Sequence, residues 1–229
     1  AAPENTLAAI RAGAAAGFGM VEFDVMLSGD DVPLLIHDET LERTTDGTGN
    51  VSAHSAHALR QLDAGRWHGP TFAGERIPTL DQALDCLLAL DITANIEIKP
   101  ATGFERRTGE VVALAVAARW HAGMRAPLLS SFSMDALEAA REAAPDLPRG
   151  LLFERLPDDW AARVRAHGAV SVHCDQAALD LQQLRAVRET GVPVLCYTVN
   201  DAARARELIA AGVAGLFTDT LDLPQRCAT

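Results

Sequence analysis

The six residues Met20-Val21-Glu22-Phe23-Asp24-Val25 decide how the rest of the chain is read. Their branched and aromatic side chains suit a β-strand, whose period of two sends Val21, Phe23 and Val25 to one face and Glu22 and Asp24 to the other. Two carboxylates on one strand face repel each other, and an inward carboxylate is costly unless it is paired or holds a cation. The pattern recurs in Asn95-Ile96-Glu97-Ile98-Lys99, where Asn95, Glu97 and Lys99 share a face. Packing alone requires none of these charges.

Outward from these two segments, apolar runs of strand length alternate with Ala-, Leu- and Arg-rich runs of helical period, the pattern of a parallel sheet with crossover helices. Strands are expected at Met20–Val25, Thr93–Lys99, Pro127–Phe132, Arg149–Phe153, Val170–Cys174, Pro193–Val199 and Gly215–Thr218. Helices are expected at Thr6–Ala16, Leu80–Ala89, Gly109–Ala122, Met134–Ala144, Pro157–His167, Asp180–Thr190 and Ala202–Ala211. Asn5 or Thr6 stands ready to cap the first helix, and Gly168, Gly191 and Gly212 follow helix ends. Eight such repeats close a (β/α)8 TIM barrel of about 250 residues. The alternation here starts on a helix, so the first barrel strand is expected upstream of Ala1. Val32–His37 follows Val25 too soon for a parallel crossover and is expected to return antiparallel, as a hairpin. Residues 38–78 then read as a small irregular insertion after the second barrel strand, and residues 1–229 as one domain.

The chain carries 20 Lys+Arg against 31 Asp+Glu, a net charge of −11 that argues against a nucleic-acid partner. Any phosphate must be held locally, and Lys99 is the sole lysine. Cys86, Cys174, Cys196 and Cys227 are scattered, with no zinc or thioredoxin spacing, which fits a reduced, cytoplasmic protein. No apolar run reaches the roughly 18 residues of a membrane span. A small-molecule substrate is the expected partner, and a homo-oligomer remains open.

Glu22, Asp24 and Glu97 together form an oxygen-rich set suited to one hard divalent ion, Mg2+ or Ca2+, with Lys99 facing an anionic ligand. The bland alternative has Glu22 and Asp24 solvated at a strand end and Glu97 ion-paired with Lys99. His37, delivered to the same rim by the hairpin, has the side chain most used for proton transfer near neutral pH. Taken alone it is equally readable as a structural histidine, and Asp38 as its orienter or as a turn cap. His173 lies near a strand end and is expected at the mouth. His54, His57, His68, His121 and His167 read as surface or packing residues.

The order Pro3-Glu4-Asn5-Thr6, Glu22-Phe23-Asp24-Val25 and Ile36-His37-Asp38-Glu39-Thr40-Leu41-Glu42-Arg43-Thr44-Thr45 resembles the glycerophosphodiester phosphodiesterases, of the bacterial cytosolic type. Ile77-Pro78-Thr79-Leu80, Ile96-Glu97-Ile98-Lys99-Pro100, Ser130-Ser131-Phe132, Tyr197-Thr198-Val199-Asn200 and Gly212–Asp219 extend the resemblance over essentially the whole chain. It implies a barrel enzyme that hydrolyses glycerophosphodiesters such as glycerophosphocholine and glycerophosphoethanolamine to sn-glycerol 3-phosphate and an alcohol. It also implies that Glu22, Asp24 and Glu97 are metal ligands, that Lys99 contacts the phosphate and that His37 is one of two acid/base histidines. The family's route has the glycerol hydroxyl attack first, giving a cyclic phosphate that water opens.

The family's other histidine sits in a His-Arg-Gly motif just before Pro-Glu-Asn-Thr, on the strand expected upstream. Phe132 and Tyr197 are candidate contacts for the glycerol or alcohol group, or core aromatics, and Tyr197 stands where many relatives have Trp. Two alternatives remain: a phospholipase D-like enzyme on the same barrel, disfavoured by the polar insertion, and a catalytically silent barrel that binds phosphate ligands.

Overall fold

The computed structural model describes residues 1–120 and 124–228. In chain order the elements are α1 (Leu7–Ala15), β1 (Met20–Leu27), β2 (Pro33–Leu35), α2 (Ala56–Leu59), α3 (Leu80–Leu90), β3 (Thr93–Ile98), α4 (Glu105–Ala117), β4 (Leu128–Ser131) and α5 (Met134–Ala143). There follow β5 (Arg149–Phe153), α6 (Trp160–His167), β6 (Ser171–Asp175), α7 (Leu181–Glu189), β7 (Val194–Tyr197), α8 (Ala202–Ala211), β8 (Gly215–Leu216) and α9 (Leu223–Ala228). Strand and helix alternate as in the (β/α)8 class. All seven strands read from the sequence are present. The chain divides into two compact units, the first ending at Leu147 and the second beginning at Pro148.

In the first unit β1, β3 and β4 run parallel, with Asp24 opposite Glu97 and Glu97 opposite Ser130. Their apolar faces pack Phe23, Val25, Ile96, Ile98 and Leu129 against Leu80, Leu84 and Leu87 of α3 and Val112 and Val116 of α4. β1 continues past its last pairing with β3 and turns back into β2, antiparallel, with Val25 opposite Leu35. That is the expected hairpin.

Thr6 rather than Asn5 caps α1: its hydroxyl accepts from the Ala9 N–H at 3.2 Å and donates to Pro3 O at 2.8 Å. Thr79 and Gln82 form a capping box at the start of α3. The insertion is less irregular than its sequence: it contains α2, and Leu41, Val51, Leu59 and Ile77 make a small core with Met26, Leu34 and Ile36.

α4 starts at Glu105, four residues before the expected Gly109. Gly109 lies inside the helix because α5 passes so close that a Cβ there would meet Ala136 O at 2.0 Å. The helix ends at Ala117, short of the expected Ala122. His121 and Ala122 lie outside the described residues. α6 begins at Trp160 rather than Pro157, because Pro157 to Asp159 make only a turn, Trp160 N–H donating to Pro157 O at 3.1 Å. α9 had no clear periodicity to reveal it.

In the second unit β5, β6, β7 and β8 are parallel neighbours in that order. His173 is a correction. It is 0% exposed, its Nε2 lies 3.0 Å from Ser171 Oγ, and its ring packs on Phe217 at 5.4 Å, so it is a core residue and does not line a mouth. Burial pushes its pKa down to about 4. Among the described residues no helix is long and apolar enough to cross a membrane.

Candidate active site

The pairing of β1 with β3 brings Glu22, Asp24 and Glu97 together, with one ligand oxygen from each lying within 4.8 Å of the others. Asp24 and Glu97 are 7% and 8% exposed, while Glu22 is exposed. The Glu97 carboxyl is pushed up to about 7, first by burial and then by the Asp24 charge, with Lys99 opposing. Three oxygens converging where a carboxylate resists ionisation fit a hard divalent ion, since the cation offsets both the repulsion and the burial. This acidic cluster could therefore hold a divalent metal ion.

Asp24 is aimed by a residue that the sequence pattern suggested only as a helix cap. Asn5, in the left-handed region at φ 55°, donates from Nδ2 to Asp24 Oδ2 and accepts the Asp24 backbone N–H at Oδ1, both at 2.9 Å. Asn tolerates that conformation better than most side chains. The available signal was the Asn5-Thr6 pair itself: two capping residues for one cap leave one of them another task.

Lys99 follows β3 directly, and its backbone N–H donates to Val25 O at 3.0 Å, extending the ladder. Its Nζ lies 3.7 Å from Asp24 Oδ1 and contacts His37 Nε2. His37 is held by the hairpin: the Ile36 N–H donates to Asp24 O at 3.2 Å, and the Leu35 N–H to Pro78 O at 2.9 Å. Its Nδ1 lies 2.5 Å from Asp38 Oδ1. Arg43, burial working against it, and His37 together hold Asp38 near pKa 2. An ionised carboxylate only accepts, so Nδ1 carries the hydrogen and Nε2 is left toward Lys99.

Phe132 is 44% exposed and comes two residues after Ser130, the register partner of Glu97, so it stands at the same end of the strands. Ser131 steadies that end by donating to Ile98 O at 2.5 Å. Tyr197 belongs to the second unit, half-buried, and its hydroxyl donates to Phe153 O at 2.8 Å. The first unit thus gathers Glu22, Asp24, Glu97, Lys99 and His37 at one point.

Carboxylates, a lysine and a histidine at the C-terminal ends of parallel strands are the marks of a (β/α)8 enzyme's catalytic face. Comparison with known proteins agrees. The sequence pattern of the Glycerophosphoryl diester phosphodiesterase family matches residues 1–223. A glycerophosphodiester phosphodiesterase of Caldanaerobacter subterraneus subsp. tengcongensis is 34% identical over 218 residues, covering 95% of this chain and 88% of that protein. Another from Bacillus subtilis is 27% identical, covering 96% and 80%. Among solved structures, an Oleispira antarctica phosphodiesterase in complex with the product sn-glycerol-3-phosphate superposes with a TM-score of 0.95 at 34% identity, over 100% of this chain and 92% of that one. A glycerophosphodiester phosphodiesterase from Agrobacterium tumefaciens gives 0.81 at 30% identity, over 100% and 94%. The chain belongs to the glycerophosphoryl diester phosphodiesterase family, and is a phosphoric diester hydrolase on a (β/α)8-type fold.

Proposed function

We propose that residues 1–229 act as one catalytic domain that hydrolyses small glycerophosphodiesters, glycerophosphocholine and glycerophosphoethanolamine among them, to sn-glycerol 3-phosphate and an alcohol, using one Mg2+ or Ca2+ ion. The observation that carries this reading is the meeting of Asp24 in the acidic cluster, Lys99 3.7 Å from it and His37 against Lys99. The product bound in the Oleispira enzyme supports the same substrate class.

Glu22, Asp24 and Glu97 hold the ion, which when bound stabilises negative charge on the phosphoryl oxygens. Lys99, the one lysine, takes a phosphate oxygen as a compact cation, and its attraction strengthens as charge grows toward the transition state. His37, with Nδ1–H committed to Asp38, moves a proton at Nε2. Asn5 keeps the Asp24 carboxylate from turning away. Phe132 offers its exposed ring to the glycerol or alcohol group, and Tyr197 offers ring rather than hydroxyl, which Phe153 O occupies.

The test is hydrolysis of both diesters by the full-length natural chain, with Mg2+ or Ca2+ and with chelator. Release of glycerol 3-phosphate that stops on chelation is expected. A folded, metal-loaded protein that turns over neither diester overturns the reading, and a lipid panel then separates a phospholipase D-like enzyme from a binding barrel.

A further inference from the structure

Arg43 is a cation that neither the acidic cluster nor the phosphate contact employs. Its guanidinium is engaged by two carboxylates from distant segments. Nη1 and Nη2 donate to Glu4 at 2.9 and 2.7 Å, while Nε and Nη2 donate to Asp38 at 2.6 and 3.1 Å. Asp38 in turn meets His37 Nδ1 at 2.5 Å. One continuous line of charge-assisted bonds therefore runs from the residue before Asn5, through the insertion, to the imidazole.

A lone exposed ion pair is worth little, because both side chains are free to swing into water. A guanidinium forked across two carboxylates differs, since its plane fixes the plane of each partner. The side chains of Arg43 and Glu4 are 45% and 39% exposed, so little packing depends on them. The arm that carries Arg43 is itself anchored: Leu41 is buried in the small core, its N–H donates to Gly49 O at 3.0 Å, and the Thr45 hydroxyl donates to Leu41 O at 2.6 Å. A rigid arm, two bidentate contacts and an exposed setting suit orientation better than stability. Asp38 without the clamp keeps its charge but not its direction, and the imidazole then samples both tautomers.

We propose that Arg43 and Glu4 are positioning residues for the hydrolysis: the clamp holds Asp38 in the plane that keeps the hydrogen on His37 Nδ1 and Nε2 turned to the reacting phosphate. This rests on the reading of His37 as an acid/base group. Neither residue touches the substrate, so the signature is a loss of kcat without a loss of binding.

The experiment compares Arg43→Met, Arg43→Lys, Glu4→Gln and His37→Ala in the full-length, metal-loaded protein. The readouts are kcat and KM for glycerophosphocholine, thermal unfolding, and imidazole 15N shifts, with the His37 signals identified by their loss in His37→Ala. For Arg43→Met we expect kcat down roughly tenfold or more with KM within about twofold, an unfolding temperature close to wild type, and His37 15N signals moved from the Nδ1–H pattern toward a mixture. Lysine cannot fork across two acids, so Arg43→Lys is expected to recover only part of the loss. Glu4→Gln, which leaves the Arg43–Asp38 pair intact, is expected to fall between, and it decides the matter if Arg43→Met does not fold. Unchanged kcat and unchanged His37 15N shifts in Arg43→Met and Glu4→Gln, beside an inactive His37→Ala, overturn the clamp alone. A fully active His37→Ala overturns the underlying reading instead.

Discussion

Replacing Glu97 by glutamine tests the acidic cluster without reference to catalysis. In the metal-free protein the Glu97 carboxyl is raised from an ordinary 4.5 to about 7, chiefly by burial and secondly by Asp24. The folded state therefore keeps its proton longer than the unfolded chain does. This contribution to stability is fully present below pH 4.5 and is lost as pH rises through 7. The energy involved is on the order of 3 kcal/mol, from about 1.4 kcal/mol per pH unit.

Glutamine has the shape of the neutral acid and never ionises. Chelated Glu97→Gln should accordingly match wild type near pH 5 and exceed it at pH 8 by roughly 5–10 °C in unfolding temperature, at about 2–4 °C per kcal/mol for a chain of this size. Millimolar Mg2+ or Ca2+ should raise wild type at pH 8 and leave the variant nearly unmoved, since one of three ligands is gone. Scanning calorimetry at the two pH values, with and without ion, reads all four states. If the chelated variant gains nothing over wild type at pH 8, Glu97 does not carry a buried charge beside Asp24, and the argument for a cation at this point fails.

Other perturbations separate the roles of the neighbours. His37→Ala should cost at least about 10²-fold in turnover while leaving the ion-induced rise in unfolding temperature intact; near-normal rates return His37 to a structural role. Lys99→Met should mainly weaken the handling of phosphate, so an unaltered kcat together with an unaltered KM for glycerophosphocholine contradicts the contact. Asn5→Ala removes both bonds that aim Asp24 and should weaken ion binding about 10- to 100-fold by calorimetric titration. Unchanged affinity would show that Asp24 needs no orienter.

Much of the frame was legible because strands announce themselves by period and by what should not be in them. Glu22, Asp24 and Glu97 stand out since a strand carboxylate has no packing reason to exist, and the structure brings the three within 4.8 Å. The hairpin was legible from chain length alone, a Gly-Asp-Asp turn being too short for a crossover.

What escaped depends on contacts between distant segments. Arg43 and Glu4 look like ordinary surface charges, 39 positions apart, and nothing local says that they meet. Asn5 read as a cap because the left-handed turn that aims it at Asp24 leaves no periodic trace. His173 was misplaced because position along a strand does not reveal depth, and Gly109 suggested a helix start because the close passage of α5 is invisible in one sequence. The occupied hydroxyl of Tyr197 is a contact of the same kind.

The hairpin carries one more implication. Asp24 and His37 sit on the two arms of a single turn, tied where the Ile36 N–H meets Asp24 O, so ladder register and not loop length sets the distance between ion cradle and proton carrier. The chain after Arg43 thereby becomes a module that can be lengthened, shortened or redecorated while the reacting groups keep their spacing. New head-group preferences can be grafted onto that module, by selection or by an engineer, at no cost to the chemistry beneath.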